Sequence, residues 1–181
     1  GVFQRKFYNK KRKCLYDVIG DGKIRPNQLF ALSLTYPVMN LTSSEAKDVI
    51  ETVNNKLLNN YGLKTLAKGE ENYVEVYEGD GARRDFSYHQ GITWTWLLGL
   101  YYNSLKNLVA SAKNKTTKAR YEMLLKDFVK DVTQTFSSEI VDRGCIGNIA
   151  EIYDSKKPNL PKGAFAQAWS VAEVLRIILE K

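Results

Sequence analysis

The sequence predicts an all-α fold that forms a single domain. Three observations indicate this. The chain has 181 residues, which is the usual size of one domain. Apolar residues recur at helical spacing in several long segments. The segments between them are polar and contain most of the glycine, asparagine and proline, as expected for loops that join helices.

Composition excludes several classes of protein. The formal net charge is +7, hydrophobic residues make up 44% and charged residues 26%, so wholesale disorder is excluded. No apolar run approaches the roughly 20 residues of a membrane-spanning helix, and no signal peptide is visible in the first residues. Cys14 and Cys145 are too few for a disulfide scaffold, which favours a cytoplasmic location. His89 is the single histidine, so we expect no metal site.

The helices follow from their start signals, stop signals and periodicity. A first helix is expected behind Pro26, over 27–34, before Pro37 stops it. A second starts at the caps 42–44, where Thr42 and Glu45 have capping-box spacing, and ends before the run 59–62. Three more are predicted over 91–112, 116–137 and 163–181, with room for a sixth over 145–153.

Two segments are predicted as non-helical. Residues 14–24 are expected to be extended around a glycine turn. Residues 62–88 are expected to form a long loop with a short strand over 73–77, and a loop of this length in a compact chain is often functional.

The amino-terminal segment 4–13 is strongly basic. Its cations are Arg5, Lys6, Lys10, Lys11, Arg12 and Lys13. With Phe7 and Tyr8 among them, these cations are compatible with a nucleic-acid-binding arm, because cations meet phosphates and rings stack on bases. The simpler interpretation, which we prefer, is a solvated segment that leads into a turn or strand.

Three clusters combine carboxylates, amides and aromatic rings. They are residues 25–28, residues 83–91 with the nearby Trp94 and Trp96, and residues 147–154 with Gln167 and Trp169 downstream. Aromatic rings cover the C–H faces of sugars, and polar side chains bond sugar hydroxyls. Other interpretations stay open here: the tryptophans as core, Asp154 as a turn residue, and His89 as a structural histidine.

Five ordered motifs resemble one known family. They are Ile24-Arg25-Pro26-Asn27-Gln28, Tyr61–Leu66, Tyr88-His89-Gln90-Gly91 with the two tryptophans, Ala150-Glu151-Ile152-Tyr153-Asp154 and Ala166–Glu173. The string resembles the C-terminal part of glycogen debranching enzymes, the amylo-α-1,6-glucosidases, over nearly the whole chain. The resemblance implies a partial (α/α)6 barrel like that of glucoamylases, so that 1–181 is one domain from the C-terminal portion of the barrel.

The resemblance also implies an activity and a set of site residues. The reaction is hydrolysis, with inversion, of the α-1,6-linked glucose at a glycogen branch, without a cofactor. Glu151 matches the general base of the family pattern. The residues expected to bind substrate are Arg25, Asn27, Gln28, Asp85, Tyr88, His89, Gln90, Trp94, Trp96 and Gln167. The expected partner is a branched α-glucan such as glycogen or limit dextrin, and neither nucleic acid nor a membrane.

The sequence departs from the family pattern in two ways. Thr95 stands between the tryptophans where the family has proline. The chain also has too few helices for a complete barrel, and the general acid of the family lies in the absent first half; Asp85 and Glu139 are the local carboxylates that could replace it. We therefore expect the isolated chain to be inactive and to self-associate through apolar helix faces left uncovered.

Two other functions remain open. The same rings and amides could form a non-catalytic α-glucan-binding helical domain. The basic segment could make the chain a nucleic-acid-binding protein, in which case affinity would fall steeply with salt.

Overall fold

Helices and a small antiparallel sheet make up the computed structural model, which describes residues 1–180. About half of these residues are helical, in seven α-helices. They are α1 (Val2–Phe7), α2 (Phe30–Ser33), α3 (Ser44–Lys56), α4 (Gly81–Ser87), α5 (Leu97–Ser111), α6 (Lys115–Asp142) and α7 (Ala168–Leu179). A 3₁₀ turn, Pro26–Leu29, leads directly into α2. The mostly helical prediction is confirmed in this coarser form.

The prediction of an all-α fold is wrong in one respect, because five short strands form a meander. They are β3 (Leu58–Asn59), β4 (Gly62–Lys64), β5 (Thr93–Trp94), β6 (Ile152–Tyr153) and β7 (Pro161–Lys162), and each pairs antiparallel with the next. A separate hairpin pairs β1 (Tyr8–Asn9) with β2 (Cys14–Leu15). The meander brings segments that are distant in sequence to one place, and the candidate site is built on it.

The sheet also explains why two predicted helices start late. Residues 93–94 pair on both sides within the sheet, so α5 begins at Leu97 and not at Gly91. The segment before α7 runs alongside the residues that precede β6, where the Gln167 N–H donates to the Ile149 carbonyl at 2.9 Å, so α7 begins at Ala168 and not at Gly163. The possible sixth helix over 145–153 is replaced by a loop and β6.

Other corrections are local. Ser43, rather than Thr42, caps α3, because its hydroxyl accepts the Ala46 N–H at 3.3 Å. Residues 73–77 are loop rather than a strand, and α4 was not expected. Helix α6 continues five residues past the predicted end at 137 and reaches Asp142.

The basic amino-terminal segment forms α1 and most of the β1–β2 hairpin. Phe3 and Phe7 stack one helical turn apart, with ring centroids 4.8 Å apart. Arg12 pairs with the Glu70 carboxylate at 2.5 Å and donates to the Gly22 carbonyl at 2.7 Å. Arg12, one of the cations of this segment, therefore connects the β1–β2 hairpin to the loops that contain Gly22 and Glu70.

One apolar core fills the molecule. Its largest fully buried side chains include Tyr101, Tyr153, Phe136, Leu29 and Leu32. Among residues 1–180, no helix is long and apolar enough to cross a membrane.

A groove of about 660 Å³ remains open on the surface along α6. Apolar side chains of α6, including Leu125 and Val129, line it together with Tyr102. Its lining also carries charges of both signs, from Glu122, Lys126, Lys130 and Glu180. Self-association through an uncovered apolar helix face stays a prediction.

Candidate active site

A cleft of about 730 Å³ collects most of the predicted site residues. The predicted residues that line it are Arg25, Asn27, His89, Gln90, Trp94 and Trp96. They come from the 3₁₀ turn, from the loop after α4, and from β5 and the start of α5. With Thr65 and Trp169, which also line it, the cleft draws on four of the five sequence motifs.

One side of the cleft is aromatic. The His89 ring stacks on Trp94, with centroids 5.1 Å apart and planes at 17°. Trp169, at the start of α7, packs within 5.9 Å of Trp94 and 5.8 Å of Trp96. Trp94 also belongs to the core, with 5% of its surface exposed, so it is a core residue that also lines the cleft. Such rings present flat apolar faces that suit the C–H face of a sugar.

Arg25 joins three segments beneath the cleft. Its Nη1 donates to the His89 carbonyl at 2.7 Å and to the Thr65 carbonyl at 3.1 Å, and its Nη2 donates to the Gln90 Oε1 at 2.9 Å. Burial, together with the nearby Arg25 charge, lowers the pKa of His89 below its ordinary value. Both effects favour the neutral form of the imidazole in the aromatic wall.

Glu151 lies beside the cleft, in the segment that enters β6. Its Oε1 accepts the Tyr88 hydroxyl at 2.6 Å and the Gln167 amide at 3.3 Å, and its Oε2 accepts the Ala164 N–H at 3.1 Å. Burial and this carboxylate raise the pKa of the Tyr88 phenol well above its ordinary value. The Tyr88 ring in turn packs 4.7 Å from Trp94, so Tyr88 connects the carboxylate with the aromatic wall.

Gly163 makes room for this carboxylate. It has φ of +68°, and a Cβ there would lie 2.4 Å from the Glu151 Oε2. The Glu151 N–H also bonds the Ala164 carbonyl at 2.9 Å, so the β6–β7 hairpin fixes both the backbone and the side chain of Glu151.

Two predicted residues lie apart from the cleft lining. Gln28 is buried, and its amide bonds the Leu15 N–H at 3.2 Å and the Arg25 carbonyl at 2.8 Å, so it connects the 3₁₀ turn to β2. Asp85 is exposed on α4. Tyr88, Gln167 and Glu151 adjoin the cleft through the contacts above without lining it.

The other carboxylates near this sheet hold the fold together. Glu139, 2% exposed, accepts the Tyr153 hydroxyl at 2.9 Å and pairs with Arg143 at 3.4 Å. Asp154 accepts the Tyr77 N–H at 2.8 Å, and burial raises its pKa. In the part of the chain that the structure describes, no group of three or more His, Cys, Asp or Glu side chains could hold a metal ion.

Sequence reasoning missed several cleft residues. They are Asp17, Val18, Asp21 and Leu97. Pro26 and Thr65, which belong to two of the sequence motifs, and Trp169, which belongs to the third cluster, also line the cleft. The sequence contains one signal for the carboxylates: Asp17 precedes the Gly20-Asp21-Gly22 turn and Asp21 lies within it, just before Arg25.

Thr95, which departs from the family pattern, has a structural role of its own. Its buried hydroxyl donates to the Tyr61 carbonyl at 2.8 Å and so joins β5 to the turn between β3 and β4. Both flanking tryptophans still line the cleft.

Comparison with known families agrees with the resemblance seen in the sequence. A family model described as amylo-alpha-1,6-glucosidase matches residues 1–176, which is almost the entire chain. The match includes every residue of the cleft and Glu151. The chain therefore belongs to the amylo-alpha-1,6-glucosidase family and corresponds to a C-terminal region of glycogen debranching enzymes.

Proposed function

We propose that the cleft binds the α-1,6-linked glucose of a branched α-glucan, such as glycogen or limit dextrin, and that Glu151 is the general base for its hydrolysis. One observation carries the proposal. Three neutral or backbone donors hold the Glu151 carboxylate, and one of them, Tyr88, packs against the tryptophan that lines the cleft. The family to which the chain belongs supports the choice of substrate and reaction.

The chemistry that we propose is an inverting displacement. Glu151 removes a proton from water as the water oxygen forms a bond to the anomeric carbon, on the face opposite the leaving oxygen. The bond from that carbon to the leaving oxygen breaks, and an acid gives this oxygen a proton. The two carboxyl groups of such a pair are roughly 6.5–9.5 Å apart, which leaves room for the water.

We propose that neither Asp85 nor Glu139 supplies that acid. Glu139 is bonded to Tyr153 and Arg143, and its role in the fold leaves no free approach to a sugar. Asp85 lies exposed on α4 and does not line the cleft. The isolated chain should therefore bind α-glucosides and release little or no glucose.

The test uses tryptophan fluorescence during titration with isomaltose, with free glucose assayed in parallel. The chain has three tryptophans, and Trp94, Trp96 and Trp169 all line the cleft. We expect saturable quenching without glucose release. Absence of any saturable response would overturn the proposal.

Two variants test the role of Glu151. Any glucose release that the chain shows should disappear in Glu151→Gln and persist in the matched control Glu71→Gln, an exposed carboxylate in a turn. Measurable glucose release that is equal in the wild type and in Glu151→Gln would show that Glu151 is not the base.

A second candidate function is non-catalytic binding of an α-glucan. One observation favours it: the Glu151 carboxylate faces Tyr88, Gln167 and Ala164 and does not itself line the cleft. In that case Glu151→Gln would leave sugar affinity unchanged, and glucose release would be absent from every variant. A neutral sugar should also bind with little dependence on salt, unlike a nucleic acid.

A further inference from the structure

The loop between β2 and the 3₁₀ turn brings carboxylates to the cleft. Asp17, Val18 and Asp21 of this loop line the same space as the tryptophans. Asp17 is half-buried, whereas Val18 beside it is 64% exposed. A carboxylate in this position can meet a ligand that rests on the aromatic wall.

The two carboxylates, Asp17 and Asp21, differ in the groups that lie next to them. Asp21 has a cation next to it, because the Lys23 ammonium lies 3.8 Å from its Oδ2 and the Lys23 N–H bonds its Oδ1 at 3.0 Å. Asp17 receives a neutral donor instead, the Asn27 amide, at 2.8 Å from its Oδ1. Among residues 1–180, no lysine or arginine forms an ion pair with Asp17 within 4.0 Å, so its charge remains available for a ligand.

The Asp17 carboxylate and the Asn27 amide together suit a ligand that has two neighbouring hydroxyls. A hydroxyl donates one hydrogen bond and accepts others, and an ionised carboxylate accepts at two oxygens. Bonds from hydroxyls to a carboxylate are roughly twice as strong as neutral ones. The Asn27 amide, which lines the cleft beside Asp17, has a second N–H that can donate to one of the same hydroxyls.

We propose that Asp17, positioned by Asn27, is a specificity-determining residue that accepts hydrogen bonds from two adjacent ring hydroxyls of the bound sugar. The inference rests on the proposed function, since it names how the same cleft orients its ligand. It assigns Asp17 to binding and not to proton transfer. Asp21, with its own lysine, makes a smaller contribution.

The test compares sugars that lack single hydroxyls. Methyl α-glucoside and its 2-deoxy, 3-deoxy and 4-deoxy analogues are titrated against wild type, Asp17→Asn and Asp21→Asn by tryptophan fluorescence. Asn at position 17 keeps an oxygen that can accept from Asn27, so the loop should stay in place, and thermal unfolding checks this. We expect Asp17→Asn to weaken binding of methyl α-glucoside about 10- to 100-fold, and Asp21→Asn to change it less than about threefold.

The pattern across the analogues separates ligand contact from a structural role. In the wild type, loss of either hydroxyl that contacts Asp17 should weaken binding about tenfold or more, and in Asp17→Asn the same losses should have little further effect. A uniform loss across all the sugars, or unchanged affinity of Asp17→Asn for methyl α-glucoside, would each overturn the inference. Wild type that binds none of the sugars would instead overturn the proposed function itself.

Discussion

The most informative perturbation of the site is Gly163→Ala. The added Cβ would lie 2.4 Å from the Glu151 Oε2 and 3.0 Å from the Ile152 Cγ1. Glu151 has a flexible side chain, so its carboxylate rotates away and loses the Ala164 N–H bond of 3.1 Å. The substitution therefore displaces the proposed base without changing it chemically.

Two contributions lower the free energy of unfolding of this variant. An alanine in the left-handed region costs roughly 1–2 kcal/mol. A hydrogen bond to a charged group contributes about 1.5–3 kcal/mol, and water restores part of it because Glu151 is only half-buried. We expect Gly163→Ala to lower the free energy of unfolding by about 3 kcal/mol.

Gly147→Ala is the matched control. Its φ is +77° against +68° for Gly163, and a Cβ there meets nothing within 4 Å. Gly147→Ala should therefore lower the free energy of unfolding only by the backbone cost of roughly 1–2 kcal/mol. The difference between the two variants isolates the displacement of the Glu151 carboxylate.

The assay is urea denaturation of both variants, alone and combined with Glu151→Ala. Most of the excess loss in Gly163→Ala, about 1.5 kcal/mol, should disappear when Glu151 is alanine, because the clash with the carboxylate and the lost bond are then absent and only the contacts with the Ile152 Cγ1 and the Cβ of residue 151 remain. If Gly163→Ala and Gly147→Ala destabilise equally while Glu151 is present, the argument that Gly163 makes room for the base is refuted.

Three further predictions concern titration, the carboxylate and association. His89, the single histidine, should titrate by NMR below the ordinary value of about 6.5. Because its folded pKa is lowered, the associated stability is lost as pH falls below about 6.5, and Arg25→Met should raise the midpoint; a midpoint above 6.5 would contradict this. Tyr88→Phe should lower the free energy of unfolding by about 1.5 kcal/mol through the lost Glu151 bond, and by much less when Glu151 is alanine. Sedimentation should show a dimer at micromolar concentration, because charges of both signs beside the α6 groove can pair with those of a second, inverted copy. The variant Val129→Glu should be monomeric. A monomeric wild type would contradict the predicted dimer.

The longer helices could be predicted because periodicity is a local signal. Helices α3 and α6 show it over three or more turns, and their predicted starts fall within about two residues of the structure. The ends of helices are harder to predict than their starts. Helix α6 is an example, since no proline or glycine marks a stop before Gly144.

The sheet could not be predicted because its strands are only two or three residues long. A strand of two residues carries no alternation, and its stability comes from partners such as Leu63 with Trp94 or Thr93 with Tyr153, which lie 31 and 60 residues apart. These pairings then determine where α5 and α7 begin.

For the site, the sequence predicted which types of residue take part better than it predicted where each side chain points. The motif 24–28 contains Arg25, Asn27 and Gln28, and the first two line the cleft while Gln28 bonds the backbone of β2. Which way an amide points depends on the hairpin packed against it, and a linear pattern does not contain that information. Asp17 likewise falls in the segment 14–24, which the sequence predicts only as extended around a glycine turn.

The most direct test of the central claim is NMR observation of the three tryptophan indole N–H signals during titration with isomaltose. Trp94, Trp96 and Trp169 line one cleft, so all three signals should shift together and saturate with a single dissociation constant. Signals that stay unmoved, or that shift with different constants, would contradict the claim that these rings form one sugar-binding site beside Glu151.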